Sequence, residues 1–191
     1  MKQDLLFFIK NIIDLPLSEE KKLLDISRIS TIKKGEFYIQ AGQVPKKFAF
    51  VSKGLFRYLY VGDNGTEYTK NFIPEKNFLL AYSSMVLQEP SKMFIEALED
   101  STVYDIDYSE WLSLKNGNPC WNIFLIKLLE KAFMTKENRE RELLLSNAEQ
   151  RYEIFKIEFP NLDSRIRQHL IASYLGISPV SLSRIRKKQD S

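Results

Sequence analysis

The chain has 191 residues, of which 44% are hydrophobic, and its formal net charge at neutral pH is +3. A chain of this length and composition can bury a core and hold one domain with a smaller second one. Its apolar runs are short and interrupted by charges, and its N-terminus has no cleavable signal pattern. Cys120 is the single cysteine, which excludes an intrachain disulfide and a cysteine-bound cluster and favours a cytoplasmic protein.

The first 29 residues are predicted to form two short helices. Leu5 and Ile9 belong to the apolar stripe of the first helix. Ser18 is the expected N-cap of the second helix, because Glu19 and Glu20 follow it in what would be the first helical turn.

Between Thr31 and Tyr108 the apolar pattern changes to an alternation with a period of two. Short runs rich in β-branched and aromatic residues are separated by turns that contain glycine. The runs cover residues 36–40, 47–51, 55–61, 67–73, 94–98 and 102–106. This pattern predicts an antiparallel β-roll or jelly roll of about eight strands.

After a short helix near residues 108–115, the sequence predicts the longest helix of the chain, with Asn118 as its cap and Pro119 at its first position. This helix carries a wide apolar stripe, which is typical of a dimer interface. The alternative is that the stripe packs wholly on the roll of its own chain. The stripe comprises Trp121, Phe124, Leu125, Leu128, Leu129, Ala132 and Phe133.

A further amphipathic helix is predicted from Asn147 to Phe159, with residues 146–148 as a hinge. Residues 164–188 then have the pattern of a helix-turn-helix. Gly176 supplies a left-handed residue that ends the first of these helices, while Ser178 caps the second and Pro179 occupies its first position.

The second helix of this motif has a basic face, which predicts double-stranded DNA as a partner. Residues 164–191 carry a net charge of +5, whereas the rest of the chain carries −2. Such a surface binds a duplex through phosphate neutralisation, and Arg184 is the best candidate for a contact to a base edge. The predicted DNA-binding residues are Gln168, Ser178, Pro179, Val180, Ser181, Arg184, Arg186, Lys187 and Lys188.

Several short motifs stand in order ahead of the helix-turn-helix: Lys34-Gly35-Glu36, the sequence VSKG at 51–54, Gly65, and EALED at 96–100. With them the chain resembles the Crp/Fnr family of bacterial transcription regulators, and in particular its short members. The resemblance implies a roll like the cyclic-nucleotide-binding domain and a homodimer paired through the long helix. It also implies sequence-specific DNA binding, with RNA polymerase as a further candidate partner.

The sequence departs from this family in two places. It stops soon after the second motif helix, where longer relatives continue into a β-hairpin wing, so a wingless variant is expected. The family holds a cyclic phosphate with a Gly-Glu pair and an arginine, and residues 77–84 and 90–94 contain none of these. A buried phosphate without a guanidinium partner is poorly compensated, so cyclic AMP and other cofactors are not expected.

Two interpretations of the roll remain open. One is a different small-molecule effector that contacts Tyr82, Ser83, Ser84 or Lys92, and the other is a filled roll without a ligand.

The sequence does not favour an enzyme. His169 is the only histidine and lies in the helix-turn-helix, so a histidine metal site of the cupin kind cannot form in the roll. No catalytic triad or glycine-rich phosphate loop is present either. The alternative to a DNA-binding regulator is a small-molecule sensor or interaction module that does not bind DNA.

The sequence thus predicts an α+β protein with three regions. Residues 1–116 form the N-terminal helices and the roll, residues 117–146 the long dimerisation helix, and residues 147–191 an all-α DNA-binding domain.

Overall fold

The computed structural model describes residues 2–189, which begin with helices α1 (Gln3–Lys10) and α2 (Leu17–Ile26). The first turn of α2 closes on the carbonyl of Pro16, which accepts hydrogen bonds from the amides of Glu19 at 2.9 Å and Glu20 at 3.0 Å. Ser18 therefore lies inside the helix, and the prediction that it is the N-cap is wrong.

The β-roll consists of two four-stranded antiparallel sheets within the described residues. The strand order is β1-β8-β3-β6 in the first sheet and β2-β7-β4-β5 in the second. The predicted fold class is confirmed, although β1 and β6 were not among the predicted runs. The strands are β1 (Arg28–Ile32), β2 (Phe37–Ile39), β3 (Lys47–Lys53), β4 (Phe56–Val61), β5 (Glu67–Ile73), β6 (Phe78–Leu79), β7 (Phe94–Ala97) and β8 (Ser101–Asp107).

The interior of the roll is filled by apolar side chains from alternate positions of the strands. Phe56 and Tyr58 of β4 point inward and contact Ile95 of β7 and Val103 of β8 within one buried cluster. Because successive side chains of a strand point to opposite faces, Arg57 lies on the outer face of its sheet. None of the residues predicted to contact a ligand belongs to this buried cluster.

Helices α3 (Tyr82–Leu87), α4 (Tyr108–Gly117) and α5 (Cys120–Leu145) accompany the roll. The Asn118 Oδ1 accepts a hydrogen bond from the Cys120 amide at 3.0 Å, as expected of the predicted cap, but α5 begins at Cys120, so Pro119 precedes the helix and does not occupy its first position. None of the helices within residues 2–189 has a stretch apolar and long enough to cross a bilayer.

The first turns of α5 pack on the roll of their own chain. Trp121 is 0% exposed and Phe124 is 2% exposed. Trp121 contacts Trp111 of α4 with ring centroids 5.7 Å apart, and Phe124 contacts Phe78 of β6 at 6.1 Å. These two side chains belong to the core of their own chain, so placing them in an exposed dimer stripe was wrong. The packing of α4 and α5 together on the roll is the reason.

The rest of the predicted stripe becomes more exposed along α5. Leu125 and Leu128 are half-buried against the same core cluster, whereas Leu129, Ala132 and Phe133 are exposed. Only the part of the stripe from Leu129 onward is therefore free to meet another surface.

The C-terminal part of the chain consists of helices α6 (Ala148–Glu158), α7 (Leu162–Arg165), α8 (Gln168–Leu175) and α9 (Pro179–Gln189). Asn147 and Gln150 form a reciprocal capping box at the start of α6. The helices fall close to the boundaries of the three predicted regions, and the division itself stays a prediction. Residues 1, 190 and 191, at the ends of the first and third regions, lie outside the described residues.

Candidate DNA-binding interface

Helices α8 and α9 form a helix-turn-helix whose turn follows from local backbone chemistry. Gly176 ends α8 in the left-handed conformation, with φ of 68°, and the Ile177 amide donates to the Ala172 carbonyl at 3.0 Å. The Ser178 hydroxyl then accepts a hydrogen bond from the Ser181 amide at 3.1 Å, and Pro179 is the first residue of α9. The predicted stop, turn and restart are confirmed.

The two helices are held against each other by small and branched apolar side chains. Ile171, Ala172 and Leu175 of α8 and Leu182 of α9 are fully buried, and Ile185 is nearly so. These residues share one cluster, so the opposite face of α9 is fixed toward solvent.

The solvent face of α9 presents a mixture of polar, apolar and basic groups. Ser178, Pro179 and Val180 are exposed at its start, while Arg184 and Lys187 are exposed further along. Two further residues of the predicted set also lie on α9. Ser181 is half-buried and Lys188 is exposed.

Arg184 is the clearest candidate for reading a base. Its side chain makes no hydrogen bond, ion pair or cation–π contact with the other described residues, and it projects from a helix that is rigidly packed on its opposite side. An exposed arginine on a fixed helix can offer two parallel donors to the edge of guanine.

Arg186 has a different role from the one predicted for it. Its guanidinium is ion-paired with Asp163 of α7 and lies 5.7 Å from the ring centroid of Tyr152 of α6. The Tyr152 hydroxyl donates to the same carboxylate at 3.0 Å, and burial together with this bond raises the pKa of that hydroxyl, so it stays a donor. The sequence assigned Arg186 to the free basic face; the structure instead uses it to hold α9 against α6 and α7.

Gln168 and Lys188 of the predicted set have only weak contacts. Gln168 donates to the Pro179 carbonyl at 3.4 Å, at the edge of hydrogen-bonding range. Lys188 pairs with Glu149 at 2.9 Å, but both side chains are more than half exposed. Exposed pairs of this kind contribute little, so Lys188 can exchange its partner for a phosphate.

One exposed cation of this surface was missed from the sequence. Arg167 occupies the N-cap position of α8, and its exposed side chain makes no hydrogen bond or ion pair with residues 2–189. The first helix of a helix-turn-helix crosses the DNA backbone, so an arginine just before it is placed to contact a phosphate. Its position within the predicted motif, directly ahead of the first helix, was the signal available in the sequence.

The residues proposed for a ligand in the roll do not form an enclosed pocket. Tyr82 is half-buried and packs against the core cluster beneath α1, whereas Ser83 and Lys92 are exposed and Ser84 is half-buried. A surface groove that the structure does show lies elsewhere, next to β1 and β2, and contains Tyr38.

The buried arginine of the roll, Arg57, is already neutralised. Arg57 is 3% exposed, and its Nε donates to Glu96 at 2.9 Å while its Nη2 reaches Glu67 at 2.6 Å. With two carboxylates as partners on the outer face of the sheet, Nε and Nη2 of this guanidinium are paired within the protein, while Nη1 is buried without a hydrogen-bond partner among the described residues.

Comparison with known proteins places the roll in a family. Residues 29–118 match the family model of the cyclic nucleotide-binding domain, and these residues include all eight strands except the first residue of β1. The match covers the roll, which is less than half of the chain. A search of curated proteins found no match to the chain.

Solved structures extend the similarity beyond the cyclic nucleotide-binding domain to the helices that follow it. FixK2 from Bradyrhizobium japonicum has a TM-score of 0.75 at 15% identity, over 85% of this chain and 84% of that one. A putative Crp/Fnr family regulator from Eubacterium rectale has a TM-score of 0.72 at 18% identity, over 92% and 83%.

The c-di-GMP responsive regulator CLP from Xanthomonas campestris has a TM-score of 0.71 at 12% identity, and 92% of each chain is covered. At these identities the similarity establishes the fold. The predicted resemblance is confirmed: the roll matches the model of the cyclic nucleotide-binding domain, and the chain shares the fold of solved Crp/Fnr transcription regulators.

Proposed function

We propose that this chain is a sequence-specific DNA-binding transcription regulator of the Crp/Fnr type that acts as a homodimer in the cytoplasm. The observation that carries this proposal is the free Arg184 on the solvent face of α9, the sixth residue of the helix that follows a complete helix-turn-helix turn. In this arrangement α9 enters the major groove, while Arg167 and Lys188 lie where phosphate contacts are made.

The homodimer is supported by the exposed apolar side chains of α5. Ile126 is 54% exposed and Phe133 is 67% exposed, and Leu129 lies between them on the same side of the helix. Spacings of three and four residues place all three on one stripe. Pairing this stripe with its copy removes it from water and places two α9 helices in successive major grooves, about 34 to 36 Å apart.

Independence from cyclic AMP is supported by the charges within the cyclic nucleotide-binding domain. The buried Arg57 is paired with Glu67 and Glu96, and Lys92, within residues 90–94 that lack the arginine of the family, is exposed. A cyclic phosphate entering the roll would lose its hydration without gaining a bidentate partner. RNA polymerase and a different effector remain predicted partners.

A regulator of this kind is tested by selecting bound sites from random duplexes with the purified full-length protein. We expect an inverted repeat with two half-sites and an affinity that falls steeply with salt. Binding without salt dependence, or without any enriched sequence, contradicts DNA recognition and favours the interaction-module alternative.

Substitution of Arg184 distinguishes recognition of a base from electrostatic attraction between the basic surface and the DNA phosphates. Arg184→Ala should weaken binding by about 1 to 3 kcal/mol at one base-pair position and relax the preference there, because it removes a bidentate donor. Lys21→Ala, which removes the same charge from an exposed position of α2, is the matched control and should leave the sequence preference unchanged. An equal loss of affinity on all sequences with Arg184→Ala contradicts its role in base reading.

A further inference from the structure

The helices α6 to α9, called here the helix-turn-helix unit, are not a free appendage of the roll. Phe72 of β5 is 1% exposed and inserts its ring among three aromatic rings of this unit. Its centroid lies 6.2 Å from Phe155, 6.0 Å from Phe159 and 5.5 Å from Tyr174. This apolar seam joins the unit to the outer face of the second sheet.

An ionic clamp borders the apolar seam. The guanidinium of Arg165 in α7 donates to Glu99 at 3.0 and 2.8 Å and to Glu75 at 3.1 and 2.8 Å. Glu75 follows β5 and Glu99 follows β7, so one arginine holds two turns of the roll. Paired two-donor contacts of this kind fix the direction of a guanidinium as well as its distance.

The clamp is partly shielded from water. The Arg165 side chain is 29% exposed and each of the two carboxylates is 33% exposed. Burial opposes ionisation of Glu75, yet hydrogen bonds from Arg165 and from backbone amides outweigh it and hold the pKa of this carboxyl below its ordinary value. The clamp therefore remains charged at neutral pH.

Two further contacts fix the unit from other directions. The Ser173 hydroxyl of α8 accepts a hydrogen bond from the Thr69 amide at 2.9 Å, on the edge strand β5. On the opposite side, Arg139 of α5 lies 3.9 Å from the ring centroid of Tyr174 and donates to the carbonyl of the same residue. Tyr174 thus contacts both the roll, through Phe72, and the long helix.

The covalent connection alone would leave the unit free to turn. Helix α5 ends at Leu145 and α6 begins at Ala148, so a single short link between them joins the unit to the long helix. A rotation about this link would move α9 relative to its copy in the dimer without breaking any secondary structure. The contacts with the roll, together with that of Arg139 in α5, remove this freedom.

We propose that Arg165 is a positioning residue that fixes the distance between the two recognition helices and thereby selects the spacing of the DNA half-sites. This inference rests on the proposed function as a dimeric DNA-binding protein. Arg165 does not touch DNA in this arrangement; it acts by holding the helix-turn-helix unit in one orientation on the roll of its own subunit. Loss of the clamp leaves each α9 able to read its half-site but relaxes the spacing requirement.

The test compares binding of the full-length protein to the selected operator and to duplexes whose spacer is lengthened or shortened by about one or two base pairs, since spacing is a geometric prediction for paired recognition helices. A duplex with a single half-site measures reading by α9 alone. We expect wild-type protein to lose roughly tenfold or more in affinity when the spacer changes, which corresponds to about 1.4 kcal/mol.

Arg165→Gln should reduce this spacing penalty to about threefold or less, with half-site affinity within about twofold of wild type. Glu99→Gln removes one of the two acceptor carboxylates and should give an intermediate penalty, while Arg165→Lys should restore part of it because the charge remains. Lys33→Gln, which removes the cation of an exposed ion pair with Asp100 on the roll, is the matched control and should behave as wild type.

The outcomes distinguish the inference from the function on which it rests. If wild-type protein selects a spacing and Arg165→Gln and Glu99→Gln select it equally strongly, the positioning role is wrong and the DNA-binding function stands. An equal loss of affinity for every spacer and for the half-site also overturns the positioning role. If wild-type protein binds no duplex, the proposed function itself is wrong.

Discussion

Glu19 is a buried carboxylate whose partners link the N-terminal helices to α5. The Trp121 indole donates to Glu19 Oε2 at 2.9 Å, and the ammonium group of Lys22 donates to Oε1 at 2.6 Å. Hydrogen bonds from Lys22 and then from Trp121 lower the pKa of this carboxyl, against the opposing effect of burial. The negative charge therefore contributes to stability as long as both donors are present.

Replacing Trp121 by phenylalanine should destabilise the fold by about 1.5 to 3 kcal/mol, since a hydrogen bond to a charged group is lost and the acceptor stays buried. Urea unfolding monitored by circular dichroism measures this difference. Phe7→Ala, at an exposed aromatic position of α1, is the control and should change the free energy of unfolding by less than about 0.5 kcal/mol. A cost for Trp121→Phe no larger than this would contradict the role of the hydrogen bond.

The hydrogen bond between Trp121 and Glu19 also makes the free energy of unfolding depend on pH, in a direction that the lowered pKa of Glu19 determines. Because the pKa of Glu19 is lower in the folded state, its contribution is fully present above the ordinary value of 4.5 and is lost as the pH falls through the lower folded value. The difference in unfolding free energy between wild type and Trp121→Phe should therefore shrink in acid. A difference that stays constant from pH 7 to about pH 3 would show that Glu19 ionisation plays no part.

For single residues, the sequence predicted the helix on which a side chain lies better than it predicted the side chains that it contacts. It placed Arg186 on the second helix of the motif correctly, but Asp163 and Tyr152, which contact its guanidinium, lie in other helices. Likewise, the apolar stripe that contains Trp121 and Phe133 has one periodicity, while one end is covered by the roll and the other end is exposed. Periodicity defines a face of a helix and does not define which neighbour covers it.

Among the elements, the turn between α8 and α9 was the most predictable, because its requirements are local. Gly176 adopts φ of 68°, and a Cβ built there would meet only Leu143 Cδ2, at 3.9 Å. The glycine is thus required by its backbone conformation and not by lack of space.

Gly176→Ala should cost roughly 1 to 2 kcal/mol, the usual penalty for a left-handed residue with a Cβ. Gly117→Ala is the matched control, since Gly117 ends helix α4 without a positive φ and a Cβ there would have no neighbour within 4 Å. It should be neutral or slightly stabilising. Denaturant unfolding of both variants measures the difference, and equal stabilities would contradict the backbone explanation.

Strands β1 and β6 show why other elements escaped prediction. Strand β6 has two residues, Phe78 and Leu79, and is defined by pairing with Phe50 and Ala49 of β3. Strand β1 pairs with β8, at the other end of the roll sequence. Such strands depend on long-range pairing, which local alternation in a short segment does not encode.

For the whole molecule, the proposed homodimer depends on the exposed surface of α5. Phe133 is the most exposed aromatic side chain of this helix, at 67%, and lies on the same stripe as Ile126 and Leu129. Covering an exposed apolar stripe of this kind with a second copy of the helix removes its side chains from water and stabilises the pair.

Phe133→Asp should shift the protein from dimer toward monomer and raise the dimer dissociation constant by about tenfold or more, because burying a phenylalanine side chain contributes about 1.5 to 3 kcal/mol. Sedimentation equilibrium measures this shift. Leu17→Asp, at an 81% exposed position of α2, is the control and should leave the dimer intact. A wild-type monomer, or a Phe133→Asp dimer as tight as wild type, would contradict pairing through α5.

The Ser173 hydroxyl covers backbone groups of the roll that would otherwise be open to other chains. Strand β5 is an outer strand of its sheet, and Ser173 accepts the amide proton of Thr69 and donates to the carbonyl of Glu67 on that strand. Open strand borders attract other chains and lead to aggregation. Helix α8 therefore also covers part of the free edge of β5, and a roll cut off before this helix would expose that edge to strand pairing with other chains.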